Sequence, residues 1–180
     1  SIFLAHQINK KIRGRTIYRT LLFIPAITIP AAIGILWRWI LNGNYGPIAY
    51  LVYGLTGRKV DFFSSAGSAN VMLVFANAWN TVPVVIILTI AALQTIPGDV
   101  MEAGQMDGAT RWQIYTRITL PLIRPTIITA VVMQSMEYFN MVTLIYTLTA
   151  GGPFDSTQTL SLAAYQNAFN YWHMDIASAY

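Results

Sequence analysis

Of 180 residues, 55% are hydrophobic and 10% charged, with eleven Lys/Arg against seven Asp/Glu for a formal charge of +4. Soluble domains carry about 25% charged residues, so this composition excludes an ordinary soluble enzyme and requires part of the surface to face lipid. Cysteine is absent, which also excludes disulfide frameworks, Cys-based zinc sites and thiol nucleophiles.

In chain order, Ser1–Ile8 reads as the tail of a preceding helix, followed by the basic cluster Lys10, Lys11, Arg13, Arg15 and Arg19. A hydrocarbon core about 30 Å thick takes about 20 helical residues. Three stretches meet that need: 21–41, 71–96 and 125–148. In the first, Arg38 lies between Trp37 and Trp39 like a snorkelling cation in an aromatic belt. The second lies in an uncharged interval of 37 residues between Asp61 and Asp99, and the third holds one acid, Glu137. Pro25, Pro30, Pro83 and Pro125 are expected to kink these spans, because packed membrane helices satisfy the freed carbonyls. Asn42–Gly46, Ser64–Ser68 and Gly151–Thr157 carry turn residues, and Ala168–Tyr180 looks like a helix just starting. The chain is thus expected to be part of one transmembrane domain with partial helices at both ends.

Eight cations lie before the first span or between the second and third, against two, Arg58 and Lys59, in the other connections. The positive-inside rule places the N-terminal segment and the 97–124 loop in the cytoplasm, and 42–70 and 149–175 outside. Topology thereby accounts for the positive charge, and a nucleic-acid partner is not expected.

The 97–124 loop is the most informative segment. Pro97 and Gly98 end the membrane helix. Asp99 with Glu102 fits a capping box that would start a short helix at Val100. Gly108 supplies a left-handed stop, and Thr110 with Gln113 makes a second box, opening another short helix that should end before Pro121. Glu102, Gln105, Met106 and Ala109 fall at i, i+3, i+4 and i+7, giving one exposed mixed face beside the small Ala103 and Gly104. Such a knob suits a groove on a partner.

Glu102-Ala103-Gly104, Asp107-Gly108-Ala109 and Ile118-Thr119-Leu120-Pro121 resemble the E-A-A, D-G-A and I-x-L-P loop of the permease subunits of binding-protein-dependent ATP-binding-cassette importers. Gly104 departs from the second alanine while keeping the residue small. Gly14-Arg15, Tyr18-Arg19, Phe23, Pro25, Leu148–Pro153, Thr159-Leu160 and Tyr165–Phe169 are similar to the sugar-type branch. The resemblance implies an all-α polytopic bundle of the bacterial cytoplasmic membrane, surrounded by lipid, with Glu102–Ala109 as the helix that docks on the ATPase. Its implied partners are ATPase subunits, a second permease chain, an extracytoplasmic solute-binding protein and a sugar-like solute.

No G-x-x-x-x-G-K-[ST] occurs, so ATP would be bound by partner subunits; H-E-x-x-H, G-x-S-x-G and G-x-G-x-x-G are also missing. His6 and His173 lie outside any ligand spacing, and neither a cofactor nor a catalytic role is expected. Asn77, Asn80 and Thr81 share one face of the second span. Gln134, Glu137 and Tyr138 share one on the third, with Asn140 alongside and Met141 one turn further. These groups suit a route for hydroxyl-rich solutes, or else hold helices together at about 0.6 kcal/mol per contact. A charged group mid-span costs about 2.5–3.5 kcal/mol, so Glu137 calls for a partner, a proton or water. The alternative reading is a secondary transporter or channel with Glu137 as its ion or proton site. A membrane-embedded enzyme would need clustered His, Asp or Glu, which the chain does not have.

Overall fold

The computed structural model describes residues 23–180, and the regular elements are all helical: α1 Pro30–Ile40, α2 Pro47–Thr56, α3 Ala66–Gln94, α4 Gly98–Met106, α5 Arg111–Phe139, α6 Thr143–Leu148, α7 Leu160–Tyr165 and α8 Met174–Ala177. The basic cluster at 10–19, the stub Ser1–Ile8, His6 and the start of the first span lie outside the described residues.

The expected 21–41 span is interrupted. A helical stretch at 23–27 stops, and α1 restarts at Pro30. Proline pushes the residue before it out of the helical region and is itself at ease in a first turn. Ile29 accordingly is extended (φ −62°, ψ 133°), so Pro30 ends one helix and begins the next instead of kinking one. Pro83 and Pro125, by contrast, lie inside α3 and α5.

Sequence reading put a loop at 42–70, and this segment contains α2. Its signals are a proline at the first position and a left-handed Gly57 (φ 68°) at the end. The serine-rich stretch is a helix start: Ser65 Oγ accepts from the Ser68 amide at 3.3 Å, and α3 begins at Ala66. The third stretch differs most. Its helix begins at Arg111, passes Pro121 and Pro125, and stops at Phe139, not at 148. A π turn over Tyr115–Thr119 explains the passage. An interior proline clashes with the carbonyl four residues back, here that of Arg117, and the wider turn displaces that carbonyl. At the far end Ser161 donates to the Phe139 carbonyl and Asn140–Val142 form tight turns. Ala168–Tyr180 is likewise not one helix. A π turn at Gln166–Asn170 gives way to the four-residue α8.

The described chain divides into two compact units. One comprises 23–26 and Thr81–Met136. In it Ile86 and Ile90 pack with Val82, while Gly104 rests on Ile114 and Ile118. The other comprises Ile27–Asn80 and Glu137–Tyr180. Its core joins Ile33, Trp37, Leu41, Leu73, Ala76, Leu144, Ile145, Leu148 and Leu162. Trp37 meets Phe75 and Trp79 edge-on at 5.1 and 5.7 Å between ring centroids. In this unit α1 packs on α6, where Gly34 lies against Thr147.

Candidate functional site

The elbow after α3 is built from two interlocking caps. Pro97 is the residue before α4, so Asp99 does not cap the helix as the sequence suggested. It lies in the first turn, where a carboxylate still complements the helix dipole. The reason is local: Pro97 has its φ fixed near the value a cap residue needs and presents its own carbonyl to the Val100 amide at 3.3 Å. At the other end Gly108 is left-handed (φ 76°), its amide bonds the Gln105 carbonyl at 3.0 Å, and the Ala109 amide bonds the Gly104 carbonyl at 3.1 Å. Those paired bonds are a Schellman motif. Its last member, Ala109, adjoins Thr110, whose hydroxyl accepts the Gln113 amide at 3.3 Å while Gln113 Oε1 accepts the Thr110 amide at 2.7 Å. This second box stands as read, but the helix it opens does not end before Pro121. It continues as the 29-residue α5.

The elbow has a packed side and an open side. Gly104 is buried, and a Cβ there would stand 2.8 Å from Ile118 Cδ1 and 3.6 Å from Ile114 Cγ1. Thr119 Oγ1 also reaches Met101 Sδ at 3.9 Å. On the opposite side Glu102, Ala103, Gln105, Asp107 and Gly108 are exposed, Met106 is 89% exposed, and Ala109 is half-buried beyond the helix end. An apolar side chain that exposed costs free energy in water and is a natural anchor for a partner.

The polar groups on the spans divide differently. Asn77, Asn80 and Thr81 are half-buried on one face of α3. On α5 Gln134 is half-buried with its Oε1 lacking a partner among the described residues, while Glu137 and Tyr138 are exposed. Because α5 ends at Phe139, Glu137 stands in its last turn. The mid-span position expected from the sequence is therefore corrected to a helix end. Asn140 and Met141 do not extend that face: Asn140 sits exposed in the turn, and Met141 packs on the core of its unit. Asparagine competes for backbone hydrogen bonds and favours such exits.

Sequence reading overlooked the order within the 149–159 connection. Thr149 and Thr157 hydroxyls meet at 2.8 Å, Thr157 also donates to the Gly152 carbonyl at 2.8 Å, and Gln166 donates to the Ala150 carbonyl at 3.1 Å. The tip is left-handed at Phe154 and Asp155, and Phe154 is 97% exposed. The repeated threonines were the available signal. His173 precedes α8, and among the described residues no cluster of His, Asp or Glu is arranged for a metal.

Residues 1–179 match the family described as binding-protein-dependent transport system inner membrane component. The chain belongs to that family. It is an inner-membrane permease component, and α3 and α5, each 29 residues with 22% and 17% of their most apolar stretch buried, have the length and open apolar surface of transmembrane helices. This permease is similar to the trehalose/maltose transport system permease protein MalF of Thermococcus litoralis, at 33% identity over 93% of this chain and 55% of MalF. It is also similar to the sn-glycerol-3-phosphate transport system permease protein UgpA of Pectobacterium atrosepticum, at 32% over 94% of this chain and 57% of UgpA. In structure it is similar to a bacterial ABC transporter that imports the acidic polysaccharide alginate, with TM-score 0.83 and 27% identity over 99% of this chain and 63% of that one. A second structure, with TM-score 0.83 and 25% identity over the same shares, holds the alginate transporter in complex with an alginate pentasaccharide-bound periplasmic protein. The permease segment thus spans 55–63% of the length of these proteins.

Proposed function

We propose that this chain is the permease segment of an ATP-driven importer for a carbohydrate, working with ATPase subunits, a second permease chain and an extracytoplasmic binding protein. The observation that carries the reading is the elbow. Glu102, Gln105 and Met106 form an exposed ridge on a helix whose opposite side is seated on Ile114 and Ile118. Met106 is the anchor in an ATPase groove, and the polar neighbours fix its register. ATPase closure then moves α4 together with the start of α5, and the spans exchange inward-open and outward-open packings.

The similarity to trehalose/maltose and alginate systems supports a carbohydrate as solute. Asn77, Asn80 and Thr81 on α3, and Gln134, Glu137, Tyr138 and Asn140 at the end of α5, supply amide, hydroxyl and carboxylate groups suited to it.

Because this segment has no cysteine, Met106→Cys offers a single labelling site in it. In the purified full-length assembly, a short thiol cross-linker at this position should capture an ATPase subunit, and ATP should drive uptake. Gradient-driven uptake with no ATPase captured would replace this reading with the secondary-transporter one.

A further inference from the structure

Within the unit that holds α1 and α6 lies an open cavity of about 340 Å³, outside the faces discussed above. Its polar wall is Arg38, Asn42, Asn44 and Asp61, and Phe63 and Pro153 supply carbon surface. The volume falls in the range of small-molecule sites.

Arg38, Asn42 and Asp61 are held by backbone contacts and keep capacity for another bond. Arg38, in the last turn of α1, has one long bond, Nη1 to the Thr147 carbonyl at 3.5 Å, and a guanidinium carries five N–H donors. Asn42 Oδ1 accepts the amides of Asn44 and Tyr45 at 3.0 and 3.4 Å, so its NH₂ is the end left to donate. Asp61 Oδ1 accepts the Phe63 amide at 3.0 Å, leaving the second carboxylate oxygen as an acceptor. The Asn42–Asn44 turn is pressed onto Asp61, since a Cβ on Gly43 would come 3.1 Å from Asp61 Cα and Cβ. Arg38 and Asp61 line one cavity without forming an ion pair with each other. One cation and one carboxylate leave the site close to neutral, which disfavours an ionic ligand. Donors and an acceptor around an apolar wall suit a ring bearing hydroxyls on its edge and C–H groups on its face.

We infer that this cavity is a holding site for a neutral saccharide ring, with Asp61 accepting hydroxyls, Arg38 and Asn42 donating to ring oxygens, and Phe63 and Pro153 covering one face. The inference rests on the carbohydrate reading above and adds a second place on the chain where the solute is held.

The test uses the purified full-length transporter with its co-purifying ATPase, without binding protein or nucleotide, and radiolabelled trehalose as probe. Saturable binding is expected in the millimolar range or tighter. Asp61→Asn, which keeps the bond to the Phe63 amide, and Arg38→Gln should each weaken it about tenfold, the loss of one charge-assisted hydrogen bond, with thermal melting unchanged. Saturable binding that neither variant weakens would overturn the assignment, as would no saturable binding at all. Tighter binding of glycerol 3-phosphate than of trehalose would overturn the neutral-sugar class. ATP-driven uptake with these negative results removes the cavity alone, whereas absence of ATP-driven uptake removes the importer reading.

Discussion

Gly104 lies on Ile118 with no side chain between them: a Cβ at 104 would stand 2.8 Å from Ile118 Cδ1. The obstructing atom is the tip of a flexible side chain, so a methyl group can be admitted by a rotamer change. Gly104→Ala should therefore leave the full-length protein at least as stable, since alanine is favoured over glycine mid-helix by about 0.5–1 kcal/mol. Gly104→Leu would have to lift α4 off α5, at about 1–3 kcal/mol for overpacking. Thermal melting checks both, and only the leucine variant should lose solute-stimulated ATP hydrolysis.

The stop at Gly108 is conformational. Nothing crowds the position, yet its φ of 76° disfavours any Cβ. Gly108→Ala should cost about 1–2 kcal/mol, with Gly108→Asn milder. Amide hydrogen exchange at residues 104–109 should accelerate in the alanine variant, because the bonds from Gly108 and Ala109 to Gln105 and Gly104 close the motif.

At Gly34 the obstacle is harder. A Cβ would fall 1.9 Å from Thr147 Oγ1, 2.9 Å from its Cβ and 3.2 Å from the Leu144 carbonyl oxygen. Gly34→Ala should lower thermal stability by about 1–3 kcal/mol. Adding Thr147→Ala should recover part of the loss, a coupling that a double-mutant cycle reads directly. Full recovery is not expected, because alanine keeps the Cβ at 147, 2.9 Å away, and the Leu144 backbone oxygen stays in place.

Glu137 stands in the last turn of α5 and is exposed in the chain, so removing its charge should not alter membrane insertion. On the proposal that it borders the solute route, Glu137→Gln should raise the KM for uptake roughly tenfold, the loss of one charge-assisted hydrogen bond, with basal ATP hydrolysis unchanged. Unaltered uptake kinetics in proteoliposomes would take Glu137 out of the route.

Local chemistry was readable where one or two residues decide the outcome. Thr110 and Gln113 close their box, Gly108 turns left-handed, and the long apolar stretch after Ala66 is one helix. What escaped notice depended on neighbours in space or on a choice between rules. Whether Pro121 ends a helix depends on the π turn that shifts the Arg117 carbonyl, and nothing in the local residue types announces that turn. The end at Phe139 depends on Ser161, twenty-two residues away. At 97–99 two cap signals compete, and the fixed φ of Pro97 prevails over the Asp99 carboxylate. Pro30 was expected to kink a span and instead opens a helix as its first residue. The polar face of α5 was drawn too far for the same reason that Glu137 was placed mid-span: apolar residues continue past Phe139, whereas the helix does not.

The adjoining caps at 104–113 leave the joint without slack. Ala109 is the sole residue between Gly108, where the first helix is closed off, and Thr110, which caps the next, and its own amide is already committed to Gly104. A force applied to α4 meets no spare backbone to absorb it, so the elbow behaves as a bracket and not as a tether. Its length is then a mechanical parameter of the protein: lengthening the joint would spoil force transmission even with every side chain on the ridge intact.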